Sequence, residues 1–278
     1  MMAPRARALL IAAPAVLPVA LVLTGALVAA LLQSLGLLPI IGEPEFSTAA
    51  WDADGELLLA TGISVYIAAA STVLSVVVGF LIAAYVLTSG VSSRVLAVLS
   101  AASVPIPHLV AAGAMGLLLS DAGFLARVFG MPSGFPGLVG GRGWGAAILE
   151  FGWKESAFVA LVLVGSMARS AGGLCEAAAT LGASAKQRML HVLLPLALPA
   201  LGVSALVVFV YTLGSYEAPW LLGPVSPEPL PVRAVRLFGS IDLTARPEAM
   251  ATALASVVVG LAAIGAGLLL LRRVRGWR

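Results

Sequence analysis

Six long apolar segments constrain what this chain can fold into. They span residues 8–32, 58–87, 95–119, 146–167, 196–222 and 249–271. Each reaches the roughly 20 residues that an α-helix needs to cross the hydrocarbon core of a bilayer. Charged residues make up only 10% of the chain and the mean hydropathy is +1.07, so polar side chains could not cover a water-facing surface. We predict an all-α membrane protein with six transmembrane helices in a single domain, residues 1–278.

The distribution of charge predicts how these helices are oriented. Cytoplasmic loops of membrane proteins are enriched in Lys and Arg. With the N-terminus inside, one of the thirteen acids, Glu176, falls on the cytoplasmic side. Ten of the sixteen basic residues fall there too, namely Arg5, Arg7, Arg94, Arg169, Lys186, Arg188, Arg272, Arg273, Arg275 and Arg278. We predict N-in/C-in topology. The first apolar segment is too long for the 7–15-residue core of a signal peptide, which favours an uncleaved first helix.

Composition and motifs also exclude several function classes. A net charge of +3 is too small to indicate a nucleic-acid partner. The single cysteine, Cys175, excludes an intramolecular disulfide, and with two histidines the chain has too few ligands for a zinc site. The sequence contains no Gly-x-x-x-x-Gly-Lys-Ser/Thr phosphate loop, and no hydrolase pattern accompanies His108 or His191. We expect no catalytic residue, metal or cofactor in this chain.

The loop at residues 169–194 is longer than a connection between neighbouring helices requires. Glu176 begins a run of good helix formers, which places an acid in the first turn, where the helix dipole favours it. Gly182 is expected to end that helix, since glycine readily adopts a left-handed conformation. A second helix is expected from about Ser184. The loop therefore predicts a short cytoplasmic helix, a corner, and a second helix leading back into the membrane.

The same loop carries a recognisable signature. It reads Glu-Ala-Ala, three residues, Gly, nine residues, an aliphatic residue, one residue, and Leu-Pro, at Glu176, Ala177, Ala178, Gly182, Val192, Leu194 and Pro195. By this EAA signature the chain resembles the permeases of binding-protein-dependent ABC importers. Val192 stands where isoleucine is commoner. In that family the signature precedes the second-to-last helix on the cytoplasmic side, which is where the charge distribution places it here.

The resemblance implies a mechanism and a set of partners. In the family, this loop is the coupling helix and docks on a cytoplasmic ATPase, so the residues implied in coupling are Glu176, Ala177, Ala178, Leu181, Gly182, Leu194 and Pro195. Two ATPase subunits would bind ATP and Mg, which this chain does not. A second six-helix permease, favoured as a different chain over a second copy, would complete the pathway. An external solute-binding protein would deliver the cargo across a bacterial inner membrane.

Polar residues within the apolar segments are candidates for the solute pathway, because ionisable groups in membranes are rare and commonly functional. Pro105 and Pro107 are expected to kink the third helix just before His108, which is interpreted either as a packing residue or as part of the pathway. The fifth helix lines the cavity in the resembled family. The candidates are therefore His108, Tyr211, Ser215, Tyr216 and Glu217.

Three further charged residues lie in or beside the apolar segments. Lys154 and Glu155 are expected to form an interfacial cluster with snorkelling stems. Glu217 either pairs with Lys154, Arg233 or Arg236, or faces the pathway, where it would favour a cation. An unpaired carboxylate away from water would be costly.

The sequence leaves alternatives open for the cargo and for the energy source of transport. Residues 214–223 resemble, less extensively, the polyamine, ferric iron, thiamine and aminophosphonate permeases, which makes a polyamine or another small cation a candidate cargo. The oligosaccharide and amino-acid branches stay open. The alternative from another class is an ion-coupled secondary transporter, in which Lys154, Glu155 and Glu217 would serve ion coupling. Such a protein would not need the EAA loop.

Overall fold

The computed structural model describes residues 4–51, 55–89, 91–131 and 135–275. Within these ranges the chain forms twelve α-helices joined by turns. They are α1 Pro4–Ser34, α2 Glu56–Thr88, α3 Val91–Ser103, α4 His108–Leu119, α5 Phe124–Val128, α6 Gly145–Met167, α7 Ala171–Thr180, α8 Ala185–Arg188, α9 Leu194–Gly214, α10 Glu217–Leu222, α11 Leu230–Phe238 and α12 Arg246–Arg275. A π-helical turn, Met189–Leu193, joins α8 to α9.

Five helical segments in the described chain are long and apolar enough to cross a membrane, and a sixth arises if α6 and α7 form one broken span. The two helices of that pair are bent by 74°. The five are Ile11–Ser34, Glu56–Thr88, His108–Val128, Ala185–Gly214 and Leu243–Arg272. The protein is therefore a multi-pass, all-helical membrane protein, as the sequence predicts.

The third crossing differs from the prediction of one kinked helix over residues 95–119. Helix α3 ends at Ser103, and α4 begins at His108. The segment long enough to cross the membrane is His108–Val128, which combines α4 and α5 and leaves α3 out. Pro105 and Pro107 explain the break, because neither has a backbone N–H to donate and each disfavours helical backbone in the residue before it.

Helices α2 and α6 form the centre of the bundle and run side by side in the same direction. The Tyr66 hydroxyl donates to the Gly143 carbonyl at 3.3 Å near the start of both helices. Further along both helices, a Cβ added to Gly79 would lie 2.6 Å from Cβ of Val159. Ser75 donates to the Phe151 carbonyl at 3.3 Å. Small and hydroxyl side chains thus let the two backbones approach closely, as is typical of helix pairs in membranes.

The fifth crossing is also interrupted. Instead of the single helix predicted over residues 196–222, α9 ends at Gly214, Ser215 is extended, and α10 begins at Glu217. At its other end, α8 and the π-helical turn continue directly into α9, which agrees with the second helix predicted from about Ser184. Helix α12 packs antiparallel against α9, with Gly267 close to Leu206.

Candidate functional site

The segment that carries the EAA signature folds as a helix, a corner and a helix, as predicted. Helix α7 ends at Thr180, and Gly182 has a φ of +84°. The N–H of Ala183 donates to the Ala178 carbonyl at 3.0 Å, which closes the helix end in the manner of a left-handed glycine cap. Ser184 then caps α8: its side chain accepts from the N–H of Gln187, and the Gln187 side chain accepts from the N–H of Ser184.

One detail of the prediction is wrong. Helix α7 begins at Ala171, five residues before Glu176, so the acid lies beyond the first turn and gains little from the helix dipole. Ala171 and Cys175 are buried against the core and anchor the helix, whereas Glu176 faces outward. The helix therefore starts where its buried face starts, because packing decides the boundary more strongly than the acid does.

The residues implied in coupling fall into two groups. Most of them form one protruding corner, at which Leu181 is 88% exposed. Leu194 and Pro195 lie instead at the start of α9, beyond the π-helical turn. Leu181 is therefore accessible to a partner, although exposure alone does not distinguish it from other exposed aliphatic residues such as Val225. The corner is Glu176, Ala177, Ala178, Leu181 and Gly182.

A second polar feature lies at the break in the third crossing. Nδ1 of His108 is 3.1 Å from Oε1 of Glu150, and Nε2 of the same ring is 3.3 Å from Oε1 of Glu155. The ring also packs against Phe151 and Tyr211, with centroids 5.7 and 5.1 Å apart. We call His108, Glu150, Lys154 and Glu155 the buried charge cluster.

Lys154 completes this cluster and corrects its prediction. The residue is only 6% exposed, and its Nζ atom donates to the Val104 carbonyl at 3.3 Å. Val104 lies in the break between α3 and α4, where backbone carbonyls lose their helical partners. Lys154 and Glu155 therefore face other residues of this chain, and the predicted snorkelling stem of Lys154 is wrong. Glu150, which is fully buried, is not among the predicted candidates, although an acid in an apolar segment is the signal that could identify it.

The predicted pathway residues also divide into two groups. His108 and Tyr211 are in contact. Around the break that follows α9, Ser215 donates its hydroxyl to the Tyr211 carbonyl at 3.0 Å, and the Tyr216 ring stacks on Trp220 with centroids 5.8 Å apart. Tyr211, Glu217 and Trp220 are exposed on the chain. An aromatic and carboxylate surface therefore borders the break.

Glu217 forms no ion pair within the described residues, and its three predicted partners are engaged elsewhere. Arg233 bridges Glu56 and Glu248, which ties α11 to the starts of α2 and α12. Arg236 binds Glu228 at 2.7 Å, and Lys154 caps the broken helix. The structural interpretation of Glu217 as half of an ion pair is wrong for these partners. Among the described residues no group of three or more His, Cys, Asp or Glu side chains could hold a metal ion.

Comparison with solved structures identifies the fold. A chain in the crystal structure of a bacterial alginate ABC transporter, in complex with an alginate pentasaccharide-bound periplasmic protein, superposes with a TM-score of 0.73 at 16% identity and 96% coverage of both chains. A second structure, of a bacterial ABC transporter involved in importing the acidic polysaccharide alginate, gives 0.73 at 17% identity with the same coverage. An amino acid ABC transporter gives 0.56 at 18% identity, over 81% of this chain and 97% of that chain.

These structures define the class of fold. The chain has the fold of an ABC importer permease, and the predicted resemblance is confirmed at that level. No protein-family model matches the sequence, and no curated protein is similar to it.

Proposed function

We propose that this protein is a permease subunit of an ATP-driven importer that moves a small solute into the cytoplasm. The proposal is carried by the coincidence of the fold with the EAA signature. An importer fold covers 96% of the chain, and the EAA spacing falls on its exposed helical corner. The protein would lie in the bacterial inner membrane. The charge distribution favours an orientation with both termini in the cytoplasm.

The corner is suited to receive movement from a cytoplasmic ATPase. Leu181 offers an apolar tip, Glu176 offers a charge beside it, and buried Ala171 and Cys175 attach α7 rigidly to the bundle. A push on the corner would therefore reach α2 and α9 through packed side chains. Two ATPase subunits would bind ATP and Mg, because this sequence carries no phosphate loop.

Further partners complete the proposal. One of the similar structures contains a periplasmic protein bound to its sugar, and we infer an external solute-binding protein for this chain as well. A second six-helix permease, encoded by a different gene, would close the pathway. The large exposed apolar surface of the isolated chain is compatible with contacts to that subunit and to lipid.

The cargo is proposed to be a small cation, such as a polyamine. Glu217 brings a carboxylate without a partner in the described chain, and Tyr211, Tyr216 and Trp220 bring aromatic faces to the same break. Carboxylates and aromatic faces both attract ammonium groups. The buried charge cluster adds little attraction, since two basic side chains offset two acids when His108 is protonated.

The buried charge cluster also favours a second candidate, an ion-coupled secondary transporter, because ionisable residues inside membranes often form ion routes. Uptake of radiolabelled spermidine into proteoliposomes separates the two. Uptake by the importer requires the ATPase and the second permease, ATP inside the vesicle and the binding protein outside it. An ionophore would leave this uptake unchanged. Uptake that runs on an ion gradient without ATP would establish the alternative.

A further inference from the structure

An apolar groove with a basic rim lies where the end of α2 meets α8 and the π-helical turn. Its volume is about 430 Å³. Leu81 and Ala84 of α2 form one wall, and Met189 and Leu193 form the other. Lys186 and Arg188 stand at the rim. We call this feature the α2–α8 groove.

The basic rim is not neutralised by the part of the chain that the structure describes. Within the described residues neither Lys186 nor Arg188 forms an ion pair. The Nε atom of Arg188 is also buried and has no hydrogen-bond partner. Glu176 is the single acid on the predicted cytoplasmic side of the sequence. A buried guanidinium N–H without an acceptor is unfavourable, so the groove calls for an anionic acceptor from outside the chain.

The geometry points to an anionic phospholipid of the cytoplasmic leaflet as the occupant. Its phosphate would accept hydrogen bonds from Lys186 and Arg188, and one acyl chain would lie along Leu81 and Leu193. This inference rests on the proposed function for the orientation that puts α8 on the cytoplasmic side. Basic pockets between helices on that side of a membrane bind anionic headgroups.

Depth favours a lipid over a cytoplasmic protein. Leu81 precedes the end of α2 at Thr88 by about two helical turns, or roughly 10 Å along the axis. It is half exposed, on a helix that is long and apolar enough to cross the bilayer. An apolar wall this far from the end of the helix is better matched by an acyl chain than by a water-soluble partner. A lipid can contact both the basic rim and the apolar wall, because its charged headgroup and its acyl chain are arranged in the same order as these two features.

Occupancy would act on the coupling corner. Ser184, the cap of α8, lies two residues after Gly182, so a lipid bound to Lys186 and Arg188 would hold the segment through which the corner joins α9. Anionic lipid would therefore stabilise this joint without touching the solute pathway.

The test measures the melting temperature of the purified full chain in phosphatidylcholine nanodiscs, with and without phosphatidylglycerol. We expect phosphatidylglycerol to raise it, and Lys186→Gln with Arg188→Gln to remove most of that increase. The control, Arg94→Gln with Arg169→Gln, removes two exposed arginines of the same predicted side outside the groove and should keep it. Arg188→Lys should keep most of the increase, which separates lost charge from misfolding.

Three outcomes would overturn the inference. In the first, the Lys186 and Arg188 variants respond to phosphatidylglycerol as fully as the wild type. In the second, inorganic phosphate raises the melting temperature equally, which would indicate a simple anion site. In the third, phosphatidylglycerol leaves the melting temperature of the wild type unchanged, which would show that the groove does not bind an anionic lipid. The assay needs neither ATP nor cargo, so it is independent of the transport proposal.

Discussion

Nδ1 of His108 lies 3.1 Å from a carboxylate oxygen of the fully buried Glu150, and this contact joins the start of α4 to the middle of α6. The other ring nitrogen faces Glu155. A neutral imidazole donates from one nitrogen only, so both contacts are hydrogen bonds when the ring carries two protons. With Lys154 beside it, the cluster then balances its own charge. It is best suited to hold a broken helix in place.

The first prediction concerns this contact. His108→Gln should destabilise the protein by about 3–5 kcal/mol, because it removes the cation that contacts both Glu150 and Glu155 and leaves Lys154 as their only countercharge in the cluster. The measurement is denaturant unfolding in detergent. His108→Gln combined with Glu150→Gln should recover part of the loss, with a coupling of about 0.5–3 kcal/mol. Strict additivity of the two substitutions would contradict a direct interaction.

The second prediction concerns the close approach of α2 and α6. Gly79→Ala should destabilise the protein by about 1–3 kcal/mol, since the new methyl group would meet Val159 and the Ser156 carbonyl. Gly62→Ala on the same helix is the control. It meets nothing within 4 Å and should be neutral or stabilising by up to about 1 kcal/mol. Equal effects of the two substitutions would rule out tight packing at Gly79.

The third prediction concerns the corner at Gly182. Gly182→Leu and Gly182→Ala both strain a residue with φ of +84°, at a cost of about 1–2 kcal/mol. The leucine variant also covers the corner with a bulky side chain. We expect Gly182→Leu to weaken association with the ATPase far more than Gly182→Ala, as measured by co-purification at matched expression. Equal loss in both variants would indicate strain rather than a blocked interface.

The fourth prediction concerns cargo. Glu217→Gln should spare assembly and raise the apparent KM for a cationic cargo, because it removes from the aromatic surface a charge that has no ion-pair partner among the described residues. Transport of a neutral cargo should not change. The preference of the wild type for the cation should also weaken as salt screens the exposed carboxylate. Glu228→Gln, which removes an acid paired with Arg236, is the control and should not change KM. Unchanged cation uptake by Glu217→Gln would remove this residue from the pathway.

The sequence was sufficient where a short range of residues decides the structure. Gly182 predicts a corner, and a second helix is predicted from about Ser184, and both form. The apolar segments predict a multi-pass, all-helical chain, because length and hydropathy are local properties. Of the six predicted crossings, five correspond to spanning helices, and the sixth does so only if α6 and α7 form one broken span. The start of α7 could not be predicted from the acid, since burial of Ala171 and Cys175 fixes it.

The contacts that assemble the buried charge cluster could not be predicted, because His108 comes from α4 whereas the other three members come from α6. His108 and Glu150 are 42 residues apart in the sequence, and nothing local indicates that they meet. The Lys154 contact with Val104 depends on the break in the third crossing, which creates a free carbonyl at the same depth. Likewise, Arg233 pairs with Glu56 across 177 residues, which excludes it as a partner for Glu217.

We propose above that the exposed corner of this protein docks on an ATPase. The most direct measurement places a photo-reactive amino acid at Leu181, which is 88% exposed, crosslinks in intact cells, and identifies the adduct by mass spectrometry. Val225, 93% exposed and lying between α10 and α11 in a loop predicted to face outward, is the control position. We predict that the Leu181 position captures a protein with a phosphate loop and that the Val225 position does not. Capture of no ATPase at Leu181, or of the same proteins at both positions, would contradict the claim.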